Sequence, residues 1–579
     1  MKKTYCKNIF LFALIVLFSK FNARAANYYW VGGSGNWSNH AVHWATASGG
    51  NVFHVQVPTS FDNVYFDANS FTAPGQIVTN DTTIAYCHDM DWTGVTNNPV
   101  FEAANSMIEL KVFGSLTLSP LVNFTFNGRL TFTSFNIGNT IRTFSEVLQC
   151  PIEFNGAGGE WALLDSLTTT KNCTLTYGTV RTNSNNVRCN SFYSYSTNVR
   201  AIFLGTSTVS ITQNVGGNWY VSRSLVIDAD SSIIRFRDGG HFGSEGHTYN
   251  IIQWDSTGFL PTNYLQYDSL IINKVISYNS DPLSTLAFYY VRHIRIDTVI
   301  AMGSFHNHRG LWSYYNYIFV NHNAQLDEDE PDSIMKMIVN GNTTFGIGVG
   351  GGNNFVHDLT VGGNLLINHS QMTWPNQQNS QTFDSCRISG NASILSGSNH
   401  LGIFTMTPGK TLTFKNDSTQ YIDSLSATGL PGFPIQVISS DLGIAANVVI
   451  QEDLCTDYLY IHAVHASSPN QLFVGINSND VANNTGWIFN NCIIGVEENQ
   501  VGSLSAYPNP ATNEIRIESS EFKIQSVEIY NVLGEKVFQS QISNLKSQIS
   551  LDISKLNSGI YFVSVGTNEG KVVRKLIKQ

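Results

Sequence analysis

Charge is scarce in this chain. Only 13% of its 579 residues are Asp, Glu, Lys or Arg, about half the quarter that soluble proteins usually carry, which excludes a coiled coil or a charge-laced helical bundle. Proline is scarce too. Fifteen prolines leave few linkers, which disfavours a string of β-sandwich domains closed off every ~100 residues. Eight cysteines without a Cys-x-x-Cys pair exclude a disulfide framework and a thiolate zinc site. Beyond Phe18 no apolar run approaches the ~18 residues of a membrane-spanning helix. A nucleophile elbow, an HExxH pair, a P-loop and a dinucleotide fingerprint are all missing. What remains is a chain 42% apolar and 12% aromatic with 47 glycines. It has enough apolar surface for a large core, written in short segments without an amphipathic helix of useful length.

From about residue 105 to 490 one phrase recurs: glycine, a polar residue, then alternating apolar positions. It stands at Gly114–Leu118 (GSLTL), Gly128–Phe132 (GRLTF), Gly363–Ile367 (GNLLI) and Gly409–Phe414 (GKTLTF). Period-2 alternation punctuated by Gly and Asn predicts strands, and the irregular spacing of the phrase predicts stacked coils, each stable only against its neighbours. The expected fold is all-β, a right-handed parallel β-helix (β-solenoid) body over 105–490 followed by a small C-terminal Ig-like β-sandwich. Asn at successive corners is expected to form side-chain ladders. Residues 26–104 are read as the N-terminal cap and first strands, with Trp30, Trp37 and Trp44 covering the first rung or, alternatively, exposed for stacking on sugars. Asn477–Phe489, with Trp487, is read as the closing segment, and 491–504 as a linker.

The N-terminus has the form of a secretory signal over residues 1–25. Lys2, Lys3 and Lys7 precede an apolar run, Ile9–Phe18, which as a helix is only about 15 Å long, and Ala23, Ala25 and Ala26 mark the cleavage site. Seven cysteines lie beyond it, an odd number. Cys173 and Cys189, one repeat apart, are a local pair that an oxidising compartment would allow to bond, and most of the seven read as buried packing residues.

Charge divides by region. The chain holds 32 Lys+Arg and 42 Asp+Glu; five cations and no acids lie in 1–25, and nine cations and seven acids in 503–579, leaving 18 and 35, or −17, on 26–502. So acidic a body excludes nucleic acid as a partner and repels a polyanionic glycan unless a cation bridges them.

The last 75 residues carry four spaced boxes: Tyr507-Pro508-Asn509-Pro510, then Ile529–Val537 with Gly534, then Leu556–Tyr561 with Gly559 and Tyr561, then a basic end with Lys571 and Lys575. Residues 505–579 thereby resemble the type A C-terminal sorting domain of the type IX (Por) secretion system, and the opening and closing segments of the body resemble those of β-helical surface proteins exported that way. The resemblance implies export to the exterior or to the extracellular face of the outer membrane of a Gram-negative bacterium. Its implied partners are the outer-membrane translocon and a sortase-like peptidase, with linkage to surface lipopolysaccharide or release.

Chemistry in the body is sparse. The acidic run Asp327–Asp332 (DEDEPD) reads as a solvated loop, with Ca2+ the only cofactor entertained. His306 and His308 share a strand face, and His241, Glu245 and His247 lie close in sequence, but neither group has a third metal ligand at recognisable spacing. No catalytic, cofactor-binding or metal residue is assigned. The reading that follows is an adhesin-like, glycan-contacting protein rather than an enzyme. The alternatives are a β-helical polysaccharide lyase or glycoside hydrolase, or a matrix or surface-layer component.

Overall fold

The computed structural model describes residues 25–213, 218–255, 263–308, 312–327, 332–346, 354–368, 380–492, 504–520, 523–567 and 570–579. Ala25 and Ala26 of the expected cleavage site are among them, whereas Ala23 and the apolar run before it lie outside the described residues. The chain divides into two compact units, Met1–Asn491 and Cys492–Gln579.

The first unit is a β-solenoid of about 17 turns, in a chain only 1% helical. Successive rungs pair in parallel; beyond the N-terminal coil there are as few as 18 residues between partners (Thr382 and His400) and as many as 28 (Thr419 and Asn447). Each strand therefore finds its hydrogen bonds on the coils before and after it, and the side chains it buries stack on equivalents one rung away. One column runs Ile272, Ile296, Tyr315, Ile334, Val356, Phe383, Leu401, and the next runs Val275, Val299, Ile318, Met337, Leu359, Cys386, Phe404. All fourteen side chains are fully buried.

Alternation is not strict in these strands. In seven-residue strands such as Ser333–Val339 and Phe355–Val361 the second, fifth and seventh residues face inward, so two outward residues stand in a row. The third position drops out of the ladder register: Ile334 pairs with Val356 and Lys336 with Asp358, skipping Met335. The strand bends there, and the outward third residues bond along the axis, as Asn273 to Asn250 (3.0 Å) and Asn316 to Asp297 (3.1 Å).

The recurring glycine phrase is a corner. The backbone N–H groups of Gly341, Gly363 and Gly390 each donate to the carbonyl one rung earlier, at 2.8–2.9 Å. A Cβ on Gly390 would lie 2.3 Å from the Gly363 oxygen, so the stacked corner has no room for a side chain. An asparagine at each corner, preceded by glycine in three of four rungs, builds the expected ladder. Asn323, Asn342, Asn364 and Asn391 each accept, on Oδ1, the backbone N–H one rung further on at 2.8–2.9 Å. A second polar column is buried: Asn354, Gln381 and Asn399 each donate their backbone N–H to the amide oxygen of the next rung, ending on Gln420. These amides satisfy backbone groups that the turning chain leaves outside the β-ladder.

Both ends of the stack are covered by aromatic side chains. Trp30, Trp37 and Trp44 are completely buried, with the Trp44 ring edge-on to Trp30 (4.9 Å) and to Trp37 (4.7 Å). The strand Asn27–Trp30 pairs antiparallel with Trp44–Ala45 and parallel with Asn63–Tyr65, folding the chain back across the first coil. Burial removes these indoles as a platform for sugars. At the other end Trp487 is nearly buried and donates Nε1–H to the Val464 carbonyl (2.9 Å).

Cys173 and Cys189 do not form a disulfide. Both are free thiols, as are Cys87, Cys150 and Cys386, all five buried, whereas Cys455 and Cys492 are disulfide-bonded. The five thiols occupy inward positions in the stacks, where they fill volume as small apolar groups. A hydrogen bond with Cys189, and then burial, hold the Cys173 thiol well above its ordinary range, and burial pushes Cys150 up to about 12.

The strands of the second unit pair antiparallel, with one parallel bridge between Ala511 and Lys578. Three strands, Leu504–Tyr507, Glu514–Ser519 and Gln548–Asp552, form one sheet, and four, Lys536–Lys546, Ile524–Asn531, Gly559–Thr567 and Gly570–Lys578, form the other. Their alternate residues close a separate core around Ile517, Val527, Ile529, Val563, Val565 and Leu576.

Two outcomes test this account. Gly390→Ala is expected to cost about 1–3 kcal/mol by forcing the corner apart, while the exposed neighbour substitution Ser389→Ala changes stability by less than about 0.5 kcal/mol, both read from urea unfolding. Ellman's reagent is expected to leave the five buried thiols unmodified in the native protein and to modify them once guanidinium unfolds it.

Candidate functional site

A concavity on the solenoid lies on the outer face of six successive rungs, Val147–Leu148, Leu167–Thr169, Val187–Cys189, Thr208–Ile211, Ile233–Phe236 and Thr248–Trp254. Its volume is about 610 Å³, and it is lined by Val147, Thr168, Thr169, Thr170, Arg188, Asn190, Thr212, Arg237, Asp238 and Asp255. Five steps of about 4.8 Å between rungs make it roughly 24 Å long, so it is a groove suited to a chain.

Register builds the groove. Outward residues stack in one row as Thr168, Arg188, Ser210, Arg235 and Gln253, and the residues after each strand, Thr170, Asn190, Thr212, Arg237 and Asp255, line it beside them. Asp255 accepts Arg235 Nε–H on Oδ2 (2.5 Å) and Gln253 Nε2–H on Oδ1 (2.7 Å), so its charge is already compensated. Arg188 and Arg237 are exposed, and among the described residues no carboxylate pairs with either guanidinium. Ser210 separates Arg188 from Arg235 by one rung, which holds the two cations roughly 10 Å apart, about a screening length at physiological salt. Three of the 18 cations of the body thus meet on one face. Nothing in the sequence signalled this, because Val187-Arg188-Cys189 and Phe236-Arg237-Asp238 align only once the rung lengths are known.

As chemistry, the groove presents anion-binding forks and hydroxyls. No His, Lys or Tyr lines it, and of its two carboxylates Asp255 is engaged.

A second cluster corrects two expectations. The strand Ser304–His308 pairs with Ala324–Asp327 so that Gln325 stands beside His306 and Asp327 beside His308. Asp327 Oδ2 lies 2.8 Å from His306 Nε2 and 3.9 Å from His308 Nδ1, so the histidine pair does have a third polar partner. Its source is the neighbouring rung, at a distance in sequence that only the coil length sets. The two ends of the acidic run are not solvated: Asp327 is 3% and Asp332 1% exposed, and Asp332 accepts the Ser313 N–H (2.7 Å) and the Asn307 amide (3.0 Å). Residues Glu328–Pro331 lie outside the described residues. His241, Glu245 and His247 do not converge on one point: His247 Nε2 is bonded to the Ser222 carbonyl (3.1 Å), and burial lowers the affinity of His241 and His247 for protons.

In the second unit Asn509, between exposed Pro508 and Pro510, bonds the last strand, giving Nδ2–H to the Lys575 carbonyl (2.7 Å) and accepting the Ile577 N–H (2.8 Å). Tyr507 donates to Glu518 (2.6 Å). Gly534, at φ +80°, closes the turn that Asn531 braces by accepting the N–H groups of Leu533 and Glu535. Tyr561 donates to the Asn557 carbonyl (3.0 Å), and Gly559 pairs with Lys578 at the end of the closing hairpin. Lys571 pairs with Glu528 (3.4 Å), and Lys575 is exposed. The tail thus joins its first box to its last strand while leaving basic side chains on the surface.

Comparison with known proteins separates the two units. Residues 505–579 match the model of the secretion system C-terminal sorting domain. Over 102 residues the chain is also 29% identical to the ulvan lyase NLR42 of Nonlabens ulvanivorans, a match spanning 17% of this chain and 19% of that enzyme. The chain therefore covers about a fifth of the length of this curated relative. Among the described residues no helix is long and apolar enough to cross a membrane. The tail marks the chain as cargo of the type IX secretion system, β-helical in its body and destined for secretion or the cell surface. Deleting residues 505–579 is expected to retain the protein in the periplasm, as read by fractionation and immunoblotting of the native host.

Proposed function

Starting from a β-helical type IX cargo, we propose that the solenoid holds an acidic extracellular polysaccharide along the groove between Val147 and Asp255, as an adhesin-like surface protein rather than an enzyme. The observation that carries this reading is the pair of unmatched guanidinium groups, Arg188 and Arg237, set among threonines in a body of net charge −17. Guanidinium forks bind carboxylate and sulfate groups in bidentate fashion, and the hydroxyl and amide rows bond sugar hydroxyls. In this reading the N-terminal signal takes the chain to the periplasm, and the sortase-like step that removes the tail leaves the solenoid on lipopolysaccharide or free outside the cell.

Catalysis is the second reading, favoured by the relative whose name gives it a lyase activity on ulvan. One experiment separates the two. The purified protein is passed over neutral and acidic polysaccharides, ulvan among them, while reducing ends and unsaturated products are followed. The expected result is salt-sensitive retention on acidic polymers without cleavage, weakened about tenfold or more by Arg188→Ala and by Arg237→Ala, as loss of a charge-assisted hydrogen bond of about 1.5–3 kcal/mol requires. Cleavage of any polymer would establish the enzyme. Retention unchanged in the double variant would remove the groove from the account, and absence of binding to every polymer would leave the matrix role.

A further inference from the structure

The groove leaves the cluster on another sheet, at His306, His308 and Asp327, without a role. Its construction is specific. His306 and His308 are two residues apart on one strand and so project from the same face, while Asp327 arrives from the next rung. One ligand atom from each lies within 4.8 Å of the others. The carboxylate is almost fully buried and the imidazoles are partly exposed. Behind them the strand is anchored by Asn307, which points into the core and bonds Asp332 at 3.0 Å. Gln325 donates to Asp327 Oδ2 at 2.6 Å, which orients the carboxylate as outer-shell partners of metal ligands do.

We infer that His306, His308 and Asp327 form a site for a divalent transition metal of the zinc class. Two imidazoles and one carboxylate suit zinc and its neighbours rather than calcium, which takes six to eight oxygens. Ligand bonds of about 2.0–2.2 Å place ligand atoms about 3.3 Å apart around a tetrahedral ion. The distances of 2.8 and 3.9 Å to Asp327 Oδ2 bracket that value, so side-chain rotation suffices and the rungs need not move. On binding, the ion takes the place between His306 Nε2 and Asp327 Oδ2, and the neutral imidazole carries its N–H proton on Nδ1. Three protein ligands leave a fourth position of the tetrahedron for water or an oxygen of a bound molecule.

The test uses the full chain without a polyhistidine tag. After equilibration with micromolar zinc and gel filtration, elemental analysis is expected to find one tightly held zinc per chain, and calcium at the same concentration none. His306→Ala and His308→Ala are each expected to weaken zinc binding at least tenfold. On the unmodified chain, which avoids any folding defect of the variants, zinc is expected to slow diethyl pyrocarbonate modification of His306 and His308, mapped by mass spectrometry, and cobalt(II) to give visible bands of a low-coordinate site. Retention of zinc by both variants, or zinc binding without protection of these two histidines, would overturn the assignment, as would no zinc uptake at all.

Discussion

The parallel hydrogen-bond ladder between rungs is the interaction on which the rest of this structure depends. A single coil of 18–28 residues buries too little apolar surface to offset the entropy of ordering it, and half of its strand hydrogen bonds have no partner until the next coil is in place. Stability is therefore shared along the axis, and the two raw ends are where it is most exposed. The buried indoles of Trp30, Trp37 and Trp44 at one end, and of Trp487 at the other, follow from that constraint. Large aromatic surfaces cover the terminal layers while three of the four indole N–H groups find carbonyls, Trp30 on Gly33, Trp44 on Trp37 and Trp487 on Val464.

Stacking like on like also decides where polar residues go. At the corners the chain must turn without stranding its amides, and side-chain oxygens of Asn and Gln take over from the backbone. The Asn323–Asn391 ladder runs along the surface and the Asn354–Gln420 column runs through the interior, with donation reversed in direction between them. Glycine beside the outer ladder is a packing requirement, since a Cβ there meets the preceding carbonyl. Such repetition gives any outward residue a fixed neighbour one rung away, and both clusters described above are built by that means.

The two units divide the work. The antiparallel tail carries the address and the solenoid carries whatever the protein does outside the cell. In so acidic a body the few cations matter by position. Arg235 compensates Asp255, which leaves Arg188 and Arg237 available to a ligand, and the field around them is governed locally because screening at physiological salt acts over about 8 Å.

The sequence by itself determined the class of fold, the recurring glycine corner, the asparagine ladder and the sorting tail, because each is a local signal: turn residues, alternation, or boxes at set spacing. It also indicated that most cysteines are packing residues. Tertiary structure alone decided which residues meet. Cys173 and Cys189 lie on adjacent rungs yet remain thiols, the cap tryptophans are buried rather than offered to sugars, and Asp327 is buried beside two histidines instead of solvated. The groove arginines are likewise juxtaposed only by rung length. Rungs beyond the N-terminal coil vary by up to ten residues, and a change of one residue in a coil shifts every later outward side chain relative to its neighbour. Lateral neighbours are therefore set by the whole stack, and no stretch of sequence contains them.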